Sequence, residues 1–188
     1  MQLPPDARIT TEILWKGALL FALLDLPFVA ILSWRIRPSL FIQIKWELII
    51  VTALFWWSLW YIVIKYFWET VYRFVFPDWA HWYLPFFQAI LVALVALAVW
   101  WVAKHSRGYP VLASLLLGGL WGAISHLWAV HLGIVTKPPL LQDAQPFAAV
   151  VIAFFEFIFY WCLIMTGATL LHSLRRWLYS RQQLSPHG

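Results

Sequence analysis

Charged residues are scarce in this chain. Only 11% of its 188 residues are charged and 63% are hydrophobic, whereas soluble domains carry about 25% charged residues. The mean hydropathy is +0.77. A chain of this composition has too few charges to cover a water-soluble surface, so the sequence predicts an integral membrane protein.

Cysteine is nearly absent as well, since Cys162 is the single one. One cysteine excludes an intramolecular disulfide and any metal or iron–sulfur site that needs several thiolates. Motifs for soluble chemistry are also missing. The glycines Gly118, Gly119 and Gly122 lie inside an apolar run with no strand before them, so they form neither a phosphate loop nor a dinucleotide fingerprint. No serine or cysteine nucleophile motif accompanies Cys162.

The apolar residues that dominate the chain form five runs, each near the roughly 20 residues that a helix needs to cross a bilayer. The sequence therefore predicts an all-α polytopic integral membrane protein, a bundle of about five transmembrane helices. Residues 1–188 form a single domain, because the connections are too short to hold a second one. The predicted helices are 12–34, 47–76, 84–102, 111–135 and 147–171. The first one should be retained, because no small-residue cleavage site follows it.

Basic residues stand at the ends of the apolar runs and are not gathered into a patch. The net charge of +5 thus fits lipid head groups and topology signals, and no nucleic acid is expected as a partner. Five helices place the termini on opposite sides. The side of the N-terminus holds five basic residues and the other side eight: Arg8, Lys16, Lys65, Arg73 and Lys137 against Arg35, Arg37, Lys45, Lys104, Arg107, Arg175, Arg176 and Arg181. The positive-inside rule then predicts a multi-pass protein of a cell membrane, with the N-terminus outside and the C-terminus cytoplasmic.

The run from Leu115 to Val135 carries two histidines and four glycines within a membrane-spanning length. Small residues let transmembrane helices approach closely, so Ser114, Gly118 and Gly122 predict a face packed against another helix. A histidine at membrane depth is expensive unless it faces the bundle interior or a polar partner. His126 is therefore a candidate site residue.

Two carboxylates share the predicted depth of His126. Asp25 lies nine residues past Lys16, His126 nine before Val135, and Glu156 nine past Phe147, so each is about 13 Å from the outer end of its helix. This agreement predicts a buried polar cluster toward the outer leaflet. We assign His126 and Glu156 as candidate cofactor-binding residues, and His126, Glu156 and Asp25 as candidate metal ligands. No residue is assigned a catalytic role.

Four interpretations of the cluster remain open. One imidazole and two carboxylates suit a transition metal ion such as Zn, Mn or Fe. Haem or chlorophyll could be ligated by His126. The same groups could form a proton or cation path. The structural alternative is a buried His–Glu hydrogen bond that fixes helix packing.

The function expected first is a membrane-embedded metal or cofactor site, in an oxidoreductase or a subunit of one. The second is a non-catalytic accessory subunit of a membrane protein complex, with the tryptophan-rich second helix as the contact. The third is a small transporter or proton-relay component. The expected partners are the lipid bilayer and other membrane protein subunits or further copies of this chain.

Overall fold

The computed structural model describes residues 10–67, 73–74, 80–106, 108–131, 135–136 and 145–183. These ranges contain five long helices and a short one. The long helices are α1 (Thr11–Arg35), α3 (Lys45–Phe67), α4 (Ala80–Ala103), α5 (Pro110–His131) and α6 (Pro146–Gln183), and the short helix is α2 (Pro38–Gln43). Two strands of two residues each, β1 (Arg73–Phe74) and β2 (Val135–Thr136), pair antiparallel.

All five long helices are long and apolar enough to cross a membrane. This finding confirms the predicted all-α class for the described part of the chain. It also agrees with the number of spans expected from the hydrophobic runs, because 18 or more consecutive apolar residues in a helix can traverse the hydrocarbon of a bilayer.

Helix α6 is the centre of the bundle. It packs against α1, α3 and α5, and α4 completes a four-helix group by packing on α3 and α5. Helix α1 lies outside that group, against α6 and α5. The rings of Phe21 and Phe28 on α1 lie 5.9 and 5.8 Å from the ring of Phe159 on α6, which fixes the face that α1 turns inward.

The ends of the bundle differ in charge. The backbone N–H of Gln145 donates to Thr11 Oγ1 at 3.0 Å, so α1 and α6 begin at the same end. At the other end Glu47, in the first turn of α3, meets His172 of α6. We call this second end the basic end, because it gathers Arg35, Arg37, Lys45, Lys104, Arg175, Arg176 and Arg181. Its cytoplasmic location stays a prediction.

Helices α5 and α6 approach closely through glycines, as the small-residue face predicted. A Cβ on Gly118 would lie 2.0 Å from Trp161 Cδ1, and one on Gly122 would lie 2.1 Å from Phe157 Cγ. Both distances are far shorter than a carbon–carbon contact, so only glycine fits here. Because Gly118 contacts Trp161 and Gly122 contacts Phe157, α5 and α6 run antiparallel.

Some predicted boundaries were wrong. The second helix was expected to reach Phe76 and the fourth Val135, but Arg73–Phe74 and Val135–Thr136 are the paired strands, and α5 ends at His131. The β-branched side chains of Val135 and Thr136 favour extended backbone, and the pairing supplies their backbone hydrogen bonds. The spacing of Lys65, Glu69 and Arg73 also predicts an i,i+4 charge ladder at the end of that second helix, and this segment lies largely outside the described residues.

The last helix is longer than expected. It was predicted to end at Leu171 but continues to Gln183, because the basic tail is rich in good helix formers such as leucine and arginine. Its 38 residues span about 57 Å at 1.5 Å per residue. The hydrocarbon of a bilayer is about 30 Å thick, so the last turns of α6 extend beyond it at the basic end.

Candidate functional site

Asp25 is the least satisfied polar group inside the bundle. The residue is only 4% exposed, and neither carboxylate oxygen has a hydrogen-bond partner among the described residues. Asp25 lies on the face of α1 between Phe21 and Phe28, both of which contact Phe159 of α6. Asp25 therefore points inward, into the seam between α1 and α6.

An unpartnered carboxylate at such a place is costly. Transfer of an isolated ionised carboxylate into an apolar medium costs many kcal/mol, so the group stays neutral or acquires a partner. Toward the start of α1, the cation nearest to Asp25 is Lys16, whose Nζ pairs with Glu12 at 2.6 Å. The cation toward the other end is Arg35, ten residues away at the end of α1, about 15 Å along the helix. No cation of α1 is therefore in a position to neutralise Asp25.

Glu156 occupies a different face. Its Oε1 accepts a hydrogen bond from the hydroxyl of Tyr160, one turn later on α6. The ring of Tyr160 lies 5.4 Å from that of Phe55 and 5.9 Å from that of Trp56, both on α3. Glu156 and Tyr160 thus form a polar pair on the side of α6 that faces α3, and Glu156 is partly buried there.

His126 belongs to α5, which packs on α6. It is partly buried, one turn past Gly122, whose Cα packs on the ring of Phe157. Because α5 and α6 are antiparallel, His126 lies at about the level of Ala153, while Asp25 lies beside Phe159. Those levels differ by six residues of α6, about 9 Å.

The structure therefore does not gather the three predicted ligands. Among the described residues, which include Asp25, His126 and Glu156, no group of three or more His, Cys, Asp or Glu side chains could hold a metal ion. A metal site needs its ligands within about 2.0–2.6 Å of one point. The predicted transition-metal site has no support in this geometry, and ligation of haem or another cofactor by His126 and Glu156 stays a prediction.

A buried polar cluster does lie at the basic end, where the sequence predicts only a helix start and a basic tail. Glu47 of α3 is 2% exposed and His172 of α6 is 5% exposed. Glu47 Oε1 lies 3.1 Å from His172 Nδ1 and accepts from Arg175 Nη1 at 2.9 Å. Glu47 Oε2 and His172 Nε2 are buried and have no partner within the described ranges.

The sequence held a weak signal for this cluster. Glu47 stands at the start of the second apolar run, and His172 and Arg175 follow the last one. These two ends were predicted to lie on the same side of the membrane. However, 125 positions separate Glu47 from His172, and nothing in the sequence shows that α3 packs on α6. The cluster links the two helices through a buried carboxylate and a buried imidazole.

No protein-family model matches the chain, and comparison with curated proteins and with solved structures gives no match either.

Proposed function

We propose that the protein binds and passes protons inside the bilayer, as a small proton-relay or proton-coupled transport component, with Asp25 as the proton-binding residue. The observation that carries this proposal is the burial of Asp25 with both carboxylate oxygens unpartnered among the described residues. Ionisable groups inside transmembrane bundles mark proton and ion pathways, because their cost must be offset by function.

A proton fits Asp25 better than a metal ion does. A proton needs one carboxylate oxygen, whereas a transition metal needs three or four ligands from the protein, and the described residues provide no such group. Protonation also removes the charge that the apolar seam cannot solvate. Asp25 can therefore remain at this position as a neutral acid and lose its proton only when a polar acceptor reaches it.

Glu156 supports the same proposal. Phe159, beside Asp25, lies three residues past Glu156, so the two carboxyl groups differ by about one helical turn along α6. The hydroxyl of Tyr160 donates a hydrogen bond to the carboxylate of Glu156. Two carboxyl groups in the middle of one bundle give a proton more than one place to reside between the two aqueous sides.

The test is proton flux into vesicles that contain the purified protein. A potassium gradient with valinomycin provides the driving force, and a trapped pH-sensitive dye reports the flux. We expect flux above that of empty vesicles, abolished in Asp25→Asn and blocked by dicyclohexylcarbodiimide, which attacks protonated carboxyl groups in apolar surroundings. Glu12→Gln is the matched control, because Glu12 lies on the same helix with its side chain 74% exposed.

Two results would refute the relay. One is wild-type flux equal to that of empty vesicles, and the other is full flux in Asp25→Asn. The accessory-subunit alternative predicts a third pattern, in which Asp25→Asn leaves vesicle assays unchanged but weakens co-purification of partner membrane subunits.

A further inference from the structure

A groove at the basic end lies between the start of α3 and the last turns of α4. Its volume is about 540 Å³. Lys45 and Lys104 line its outer part, and Leu94, Leu97 and Ala98 line the part that runs toward the middle of the membrane. We call it the lysine groove. One end is cationic and the rest is apolar.

The two lysines converge on one aromatic ring. Lys45 Nζ lies 5.1 Å and Lys104 Nζ 4.8 Å from the centroid of the Trp100 ring, so the two ammonium groups are no more than about 10 Å apart. Trp100 is fixed in place, because its Nε1 donates to the backbone oxygen of Phe41 at 3.1 Å and the residue is 7% exposed. The cationic end of the groove is therefore held in place by the fold.

Neither lysine is neutralised by the part of the protein that the structure describes. The ion pairs there involve Lys16 with Glu12, and His172 and Arg175 with Glu47. Like charges repel at this separation, and a membrane interface screens them less than water does. An anion that contacts both ammonium groups would remove that repulsion.

The apolar part of the groove indicates what the anion carries. Leu94 is 61% exposed and Trp101 is 58% exposed, and Leu94 lies ten residues before Lys104, about 15 Å along α4. This length suits a stretch of acyl chain. A free inorganic phosphate would occupy the lysine end only and leave the leucines uncovered.

We propose that the lysine groove binds one anionic phospholipid, with its phosphate between Lys45 and Lys104 and an acyl chain along Leu94, Leu97 and Ala98. Basic pockets beside transmembrane helices bind anionic head groups by this combination of charge and apolar contact. The site is independent of Asp25 and would hold whether or not the protein moves protons.

Native mass spectrometry of the delipidated protein in detergent tests the site. Phosphatidylglycerol and phosphatidylcholine are titrated separately. We expect phosphatidylglycerol to bind the wild type with a lower Kd than phosphatidylcholine does. The double variant Lys45→Gln/Lys104→Gln should raise the Kd for phosphatidylglycerol roughly 30-fold, about fivefold for each lysine. Phosphatidylcholine should bind both proteins weakly.

The matched control removes two other cations from the same end. Arg35 lies 5.1 Å from the ring of Trp34, and Arg181 lies 4.1 Å from that of Trp177. Both are cation–aromatic contacts at the basic end and outside the groove. Arg35→Gln with Arg181→Gln makes the same change in net charge, and we expect it to alter the Kd less than twofold.

A second variant keeps both lysines. Ala98 is exposed in the groove, so Ala98→Phe should fold and block the acyl chain. We expect loss of phosphatidylglycerol binding with an unchanged elution volume in size exclusion. The proposal is overturned if both lipids bind the wild type equally, if the control pair weakens binding as much as the lysine pair, or if millimolar inorganic phosphate displaces the lipid in full.

Discussion

The Cα of Gly118 lies directly against the indole of Trp161. An added Cβ would fall 2.0 Å from Cδ1, 2.2 Å from Nε1 and 2.4 Å from Cγ of that ring. Trp161 is fully buried, so the ring has no space into which it could move. This contact sets the distance between α5 and α6.

Gly118→Ala should therefore destabilise the protein. Overpacking of a filled interior costs about 1–3 kcal/mol, and we expect a loss at the upper end of that range. Thermal unfolding in detergent, followed by size exclusion after heating, measures the change. Gly17→Ala is the control, because its Cβ would meet only Ile152 Cδ1 at close range, the far end of a flexible side chain. Equal losses in both variants would contradict the role of this contact.

Glu47→Ala should be among the most destabilising carboxylate substitutions. It leaves buried His172 without its partner and removes the carboxylate that Arg175 contacts. A buried hydrogen-bonding group left without its partner costs about 1–3 kcal/mol. Glu12→Ala, at an exposed pair with Lys16, should cost about 0–1 kcal/mol. Unfolding in a denaturing detergent series would compare the two, and a smaller effect at Glu47 than at Glu12 would refute the prediction.

Asp25→Leu should stabilise the protein against unfolding while abolishing proton flux. An unpartnered buried polar group carries a desolvation cost of about 1–3 kcal/mol, and an apolar residue of similar size removes it. Thermal unfolding and vesicle proton flux, both measured on the same preparation of Asp25→Leu, test the two expectations together. A variant that is both less stable and still active would show that Asp25 has a structural partner and no role in proton binding.

His126 and Glu156 should behave as independent sites. His126 belongs to α5 and Glu156 to α6. Glu156 bonds to Tyr160 of its own helix, and in the described part of the chain no group of three or more metal-ligating side chains includes either residue. Effects of separated substitutions add within about 0.3–0.5 kcal/mol. A double-mutant cycle with His126→Ala and Glu156→Gln, read out by thermal unfolding, should show additivity. Coupling above about 1 kcal/mol would instead favour the shared metal or hydrogen-bonded site expected from the sequence.

The sequence was sufficient to predict the spans and one helix interface. Long apolar runs determine where α1, α3, α4, α5 and α6 lie, and the spacing of Ser114, Gly118 and Gly122 identifies the close face of α5. Both signals are local, because each depends on residues of one segment. The same locality explains why the ends of helices near β1 and β2 were misplaced, since strand pairing joins distant segments.

The candidate site was only partly predictable. Position in a run predicts one depth for Asp25, His126 and Glu156. In the structure Asp25 and Glu156 differ by about one turn along α6, and Asp25 and His126 by about 9 Å. The direction in which each helix turns its polar residue depends on which helix it packs against. That information is absent from any single run, so the failure of Asp25, His126 and Glu156 to form one metal-binding group and the contact of Glu47 with His172 could not be derived.

The position of α6 has a consequence for biosynthesis. Within the described residues, α1 packs on α6 and α5, which the ribosome makes only after α3 and α4. Helix α1 is therefore made before its main contact, and Asp25 faces lipid or another protein until α6 is inserted. A nascent chain released before α6 would leave α1 without its main contact, so synthesis of α6 is the step that commits α1 to the bundle.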